Sequence, residues 1–186
     1  MHHSFASIIL AVLFSSCAAS LTYSTDYPLT EETFRTRDGM LSGRIPVGWF
    51  SSTEDSIAPA LTAWLIKEDF SATLMMKELK LDPLSTEQVK KQGLKLLAYL
   101  ASGLEEEHSS GEAIEPKEFE MHGRKFCSYE TRVGENRKRS VVFAARGKFY
   151  DCEASVAKGR WSDEEIKKMF TAQQTLLSSL SEAEKP

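Results

Sequence analysis

The apolar residues of this chain change their spacing repeatedly, and each change predicts an element. From Phe5 to Phe14 they run almost unbroken, interrupted only by Ser7, inside an opening stretch from Met1 to Leu21 that carries no charged residue. A run of about ten is too short for a permanent membrane-spanning helix, which needs about 20 residues, and it matches the hydrophobic centre of an export signal. Ala18 to Glu31 is rich in Ser and Thr and shows neither helical nor strand spacing, so it reads as a tether. The resulting division is a signal segment over 1–17, a tether over 18–32 and one folded domain over 33–181, starting near Thr33.

Within the domain, Phe34 to Arg37 and Met40 to Ile45 flank Asp38-Gly39, a pair that predicts a type I′ hairpin turn because both of its central residues tolerate positive φ. Leu61 to Ile66 and Ser71 to Leu81, separated by Lys67-Glu68-Asp69-Phe70, read as a second hairpin, although the same residues also fit a helix. Ser85 followed by Gln88 has the capping-box spacing. Val89, Gly93, Leu96, Leu97, Leu100 and Leu104 then recur on one helical face, predicting a single helix. Glu105 to Lys117 is polar and reads as an exposed loop. Alternation returns in Phe119–Met121, Arg124–Val133, Arg139–Ala145 and Lys148–Val156, with turns at His122-Gly123, Gly134-Glu135-Asn136 and Arg146-Gly147. Connections this short predict an antiparallel meander. A last helix is predicted from the capping box Ser162/Glu165, with Ile166, Met169, Phe170, Gln173, Leu177 and Leu180 along one side.

The order of elements predicts an α+β fold: an antiparallel sheet with helices packed on its faces, an α/β/α sandwich. The run Met40 to Phe50, with Ile45-Pro46-Val47-Gly48-Trp49 ending an early strand in a Pro-x-x-Trp segment, the Phe70-Ser71-Ala72-Thr73 strand, the meander and the closing helix together resemble the PsbP/Mog1 type of domain over roughly Phe34 to Leu180. Members of that fold serve as extrinsic subunits, assembly factors or regulators of a small GTPase, and many bacterial examples are lipoproteins. The resemblance implies a binding module more often than an enzyme, and no family functional residue transfers by motif.

Composition narrows the function classes. With 41% hydrophobic and 27% charged residues the 186-residue chain has enough apolar material for one core. A net charge of −4 spread along the chain offers no field for nucleic acid. After the apolar run stands Leu13-Phe14-Ser15-Ser16-Cys17, which resembles a bacterial lipobox and makes Cys17 the candidate lipid-anchoring residue. Cleavage after Ala18 or Ala19 is the alternative, and both readings export the protein. The expected location is the periplasmic or cell-surface face of a bacterial membrane, held through the lipid.

Two cysteines then remain, Cys127 and Cys152. In an oxidising compartment the readings are a disulfide, two separate buried thiols or a reactive thiol. In a meander paired in sequence order their strands lie two places apart, about 9.5 Å, beyond the roughly 7 Å that a disulfide spans. Imidazole chemistry would have to use His108 or His122, both in turn or loop sequence. His108 follows Glu105-Glu106-Glu107, a carboxylate-rich turn that could hold a divalent cation, but a solvated loop is the expectation there and no metal is called for. No nucleophile elbow, phosphate-binding loop or dinucleotide fingerprint is present, and nothing calls for a cofactor. Arg137-Lys138-Arg139 is the sharpest positive cluster and the candidate partner contact, against a role in keeping a turn soluble. Trp49, Trp64 and Trp161 read as core or rim packing. The expected function is a non-enzymatic envelope module that binds or stabilises a protein partner. The alternatives are a small hydrolase, or a small-ligand or lipid binder with a pocket between sheet and helices.

Overall fold

The computed structural model describes residues 24–52, 59–106, 114–133 and 136–183. Cys17 with the stretch read as an export signal, His108, and Gly134 and Glu135, read as part of a turn, lie outside the described residues. In chain order the elements are β1 (Leu29–Arg35), β2 (Leu41–Pro46), β3 (Trp49–Ser51), β4 (Leu61–Lys67), β5 (Ala72–Leu79), α1 (Pro83–Gln92), α2 (Leu94–Glu106), β6 (Ile114–Met121), β7 (Arg124–Val133), β8 (Asn136–Ala145), β9 (Lys148–Val156), α3 (Asp163–Ser178) and β10 (Ser181–Glu182).

The α+β class with an antiparallel sheet is as expected, but there are two sheets. The larger has seven strands in the order β3-β4-β5-β9-β8-β7-β6, and the smaller has the order β1-β2-β10. The two meanders, β3–β5 and β6–β9, join along β5 and β9, where Leu74 faces Ala154 and Met76 faces Cys152. That pairing spans the whole helical excursion and leaves no local trace in the sequence.

Strand alternation sorts side chains onto the two faces of the large sheet. Leu65, Leu74, Met76, Phe126, Val141, Phe143, Tyr150 and Cys152 pack in one cluster with Phe34, Leu41 and Ile45 of the small sheet and Ile166, Met169, Phe170, Leu176 and Leu177 of α3. Each of these large side chains, withdrawn from water, contributes about 1.5–3 kcal/mol. On the opposite face Cys127, Tyr129 and Val142 pack with Val89, Leu97 and Ala98. There α2 sits over β6, β7 and β8. Toward β3 that face is left with Trp64, Ile66 and Met75 only half-buried and Phe50 exposed.

Several local expectations are corrected by backbone chemistry. β1 begins at Leu29, ahead of Thr33. Only Gly39 of the Asp38-Gly39 pair takes a positive φ, so the first hairpin has no type I′ turn; that signature, positive φ at both positions, appears instead at His122-Gly123 and Arg146-Gly147. The predicted single helix is two. Its cap is Asp82, whose carboxylate accepts from the N–H groups of Leu84 and Ser85, with Pro83 opening the first turn. Gly93 ends α1 at φ 88°, a left-handed position open to glycine, and resets the helical phase. Leu100, expected on the buried stripe, is consequently 41% exposed. Ile114 to Lys117 belongs to β6 rather than to a loop. The α3 capping box forms as read, with Ser162 and Glu165 bonding reciprocally.

The first hairpin is fastened to the large sheet by a polar cluster. Lys148 Nζ donates to Glu78 Oε2 at 2.7 Å and to Asp38 Oδ2 at 3.1 Å, and Tyr150 Oη donates to the same Asp38 oxygen at 3.1 Å. Burial alone pushes the Asp38 carboxyl up. Bonds from Thr36, Met40, Lys148 and Tyr150 outweigh it, so the net shift is below the usual aspartate value. A carboxyl lowered on folding stabilises the fold above its unfolded pKa, and that contribution is lost as pH falls through the folded value. Replacing Asp38 by Asn should therefore reduce stability at pH 7 by about 1–2 kcal/mol. The loss should narrow as pH is lowered below 4, read as the difference between wild-type and variant denaturation midpoints.

Candidate functional site

Strand alternation separates the basic cluster that the sequence put together. Arg137 and Arg139 face α3, whereas Lys138 points to the opposite face, 3.3 Å from Glu153. Arg139 is only 7% exposed. Its Nε donates to Gln173 Oε1 at 2.6 Å, its Nη2 donates to the Phe170 carbonyl and to Gln174 Oε1, and its guanidinium lies 4.7 Å from the Phe170 ring centroid. Gln173 Nε2 donates in turn to the carbonyls of Arg139, at 3.1 Å, and Cys152, at 2.6 Å. Arg139 is therefore a bolt between β8 and α3, not a partner contact. Arg137 pairs with Glu130 beside the same ring. It borders a groove of 540 Å³ whose lining mixes Lys117, Arg137, Arg139 and Lys167 with Glu115, Glu130 and Asp163, so neither sign of charge dominates it. Arg139→Ala should destabilise the domain by about 3 kcal/mol, because it orphans the buried acceptors of Phe170, Gln173 and Gln174 on α3. Arg137→Ala should cost at most about 1 kcal/mol. Urea midpoints of the two variants check the contrast.

Cys127 and Cys152 do not pair. They stand on β7 and β9 with β8 between them, opposite Val142 and Val141 respectively, and belong to cores on opposite faces of the sheet. Both thiols are free and buried, and burial pushes each up to about 12, so neither is a nucleophile near neutral pH. His122 is exposed at φ 49° in its hairpin turn. Among the described residues no group of three His, Cys, Asp or Glu side chains is placed to hold a metal ion.

What sequence reading missed is an aromatic end to the large sheet. Tyr27, Trp49, Trp161 and Met169 line a pocket of 310 Å³ beside the first turn of α3. Tyr27 is held there by its N–H to Thr175 Oγ1 at 3.3 Å and by its hydroxyl, which donates to the Val47 carbonyl at 3.2 Å. Trp161 is set by its place next to the capped Ser162. Trp49 is 4% exposed, and its indole N–H has no acceptor among the described residues. The mouth carries balanced charge, Lys67 and Lys168 against Asp69 and Glu165. Lys67 is paired with Asp69 and lies 5.7 Å from the Trp161 ring centroid. Bonds from Lys67 and then Ser71 hold the Asp69 carboxyl down at about 2, so it is ionised throughout the physiological range.

The turns after β2 and β4 meet at this end, where Glu68 N–H donates to the Gly48 carbonyl at 3.0 Å. Three of the exposed large apolar residues lie on them or beside them: Val47 at 45%, Phe50 at 36% and Phe70 at 64% exposure. The Phe50 and Phe70 rings meet edge to face at 5.8 Å. Phe70 also has φ 58°. Its turn, closed by Phe70 N–H to Lys67 C=O at 2.8 Å, repeats the closure of Gly39 N–H on Thr36 C=O at 2.8 Å. At the equivalent position the first hairpin uses glycine at φ 68°. A non-glycine residue there costs about 1–2 kcal/mol, and a ring left mostly in water does not recover it by burial. Phe70→Gly should leave stability unchanged or raise it by up to about 1 kcal/mol, the relief of strain outweighing one lost ring contact. A fall of more than about 2 kcal/mol in the unfolding free energy would make Phe70 a structural residue instead.

No family model matches the chain, and no curated protein matches it in sequence. Solved structures do match in shape. Cyanobacterial PsbP (CyanoP) from Synechocystis is similar at 18% identity and a TM-score of 0.50, covering 81% of this chain and 91% of its own. The Ran-binding protein Mog1p of Saccharomyces cerevisiae is similar at 8% identity and a TM-score of 0.54, covering 83% and 96%. LpqN of Mycobacterium tuberculosis, involved in cell envelope biogenesis, is similar at 13% identity and a TM-score of 0.51, covering 87% and 95%. The fold is thus PsbP/Mog1-like, and identities this low carry the fold alone.

Proposed function

We propose that this chain is an exported, non-enzymatic protein-binding module, anchored through acylated Cys17 at the periplasmic or cell-surface face of a bacterial membrane. The observation that carries the binding role is the exposed Phe70, at positive φ, with Phe50 and Val47 at the end of the sheet whose α3 side holds the aromatic pocket. Exposed aromatic and apolar side chains clustered at one end of a sheet are the chemistry of interface anchors. At 310 Å³ the pocket sits at the small end of ligand sites and suits one inserted side chain better than a free metabolite. Two structural neighbours lend support from their own descriptions: Mog1p binds Ran, and LpqN is involved in cell envelope biogenesis. Among the described residues no helix is long and apolar enough to cross a membrane.

Two measurements test this reading. A photo-crosslinking amino acid placed at Phe70 in intact cells should yield a discrete protein adduct, and the same group at Leu84, 77% exposed on α1, should not. Absence of any adduct at Phe70 would remove the binding role. The intact mass of the mature protein should show a chain starting at Cys17 with added acyl mass, absent from Cys17→Ser. A chain starting at Ala19 or Ser20 without that mass would remove the anchor.

A further inference from the structure

The geometry points to β-strand addition as the way this surface takes its partner: an extended partner segment pairs along the edge of β3 that no described strand covers, with consecutive apolar side chains entering the aromatic pocket and covering Phe50 and Phe70. This inference rests on the protein-binding reading above and adds the partner's backbone conformation and side-chain pattern.

β3 is an end strand of the seven-stranded sheet, paired on one side with β4 through Trp49–Lys67, Phe50–Ile66 and Ser51–Leu65. Ser52 N–H bonds the Trp64 carbonyl and Glu68 N–H bonds the Gly48 carbonyl. In an antiparallel ladder such bonds recur at every second residue. Residues 48, 50 and 52 therefore turn their main-chain groups toward β4. Trp49 and Ser51 turn theirs outward, where no strand lies among the described residues.

The opposite edge is guarded: β6 carries Pro116 with Glu115, Lys117, Glu118 and Glu120, the side-chain types that block pairing. β3 reads Trp-Phe-Ser, with neither proline nor charge. Its alternation puts Trp49 in the pocket on the α3 side and Phe50 on the other face against Phe70. A strand laid beside β3 has the same alternation, so two adjacent apolar residues reach both features at once. The balanced charge at the mouth asks for no charge on those two residues, and it provides no field for an anionic lipid surface.

The probe is the acetylated, amidated peptide Lys-Thr-Thr-Leu-Phe-Thr-Thr-Lys, titrated into the folded protein and followed by amide NMR. It should shift the Trp49 and Ser51 amides and the Trp49 indole N–H. Peptides N-methylated at alternate amides, made in both phases, should separate: the phase facing β3 loses affinity at least tenfold, and the other keeps it. Ser51→Pro removes an outward N–H that β4 does not use, so it should keep its melting temperature and lose the peptide to the same extent. If that variant fails to fold, the methylated pair decides. Equal affinity of the two phases, or shifts that avoid residues 49–51, overturns strand addition. So does Phe70-dependent binding to phosphatidylglycerol vesicles without peptide binding. A protein adduct at Phe70 together with equal phases would overturn strand addition and leave the protein-binding reading standing.

Discussion

The arrangement turns on a guanidinium buried between β8 and α3. A charge withdrawn from water costs several kcal/mol unless acceptors surround it, and Arg139 finds them at Gln173, Gln174 and the Phe170 carbonyl, all on α3. Those bonds fix the rotation and the height of the helix on the sheet. An apolar contact alone is non-directional and would tolerate a slide. Gln173 completes the clamp by donating to carbonyls on β8 and β9 at the middle of the sheet. With α3 so placed, Met169 and Trp161 can have only one position, and they are two walls of the aromatic pocket. The pocket is thus a remote consequence of a buried polar network.

The second constraint is area. α3 and the small sheet share one face of the large sheet, and on the other α2 packs over β6, β7 and β8. Three helices and a three-stranded sheet cannot cover seven strands on both sides. The shortfall falls at β3, where the strand is shortest and Phe50 is left exposed. The same corner joins two turns, a strand edge that no described strand covers and the only phenylalanine among the described residues at positive φ. These features coincide because the edge of a sheet is where turns, bare faces and unpaired main chain all occur.

Local chemistry was readable and long-range closure was not. The β6–β9 meander and the Ser162/Glu165 capping box followed from alternation and a three-residue spacing, since both are set within a few residues. The β5–β9 pairing, β10 and the break at Gly93 depend on contacts or phases that a local window does not contain. The basic run Arg137-Lys138-Arg139 misled because charge was read along the chain, whereas a strand distributes neighbours to opposite faces and burial then turned Arg139 into a structural group. The disulfide argument fared better, because strand spacing is a local number applied to a correct order. The aromatic end was invisible as a site, with Trp49 and Trp161 on distant elements. One signal was there to be read: Lys67-Glu68-Asp69-Phe70 is a hairpin turn without the glycine that its closing position favours.

The proposed anchor and the aromatic end constrain each other. A fully extended chain spans at most about 3.3–3.6 Å per residue, so the ten steps from Cys17 to Tyr27 reach no further than about 35 Å. Tyr27 is itself a wall of the pocket. With Cys17 held in the bilayer, the pocket therefore stays within that distance of the membrane surface, however the remainder of the domain turns. A partner must present its extended segment in the same thin layer, which selects a membrane-proximal segment over a freely diffusing one. Confinement to that layer also raises the effective concentration of the two partners. A three-residue edge strand and one side-chain pocket form a small contact that would be weak in free solution, and tethering makes a contact of that size sufficient.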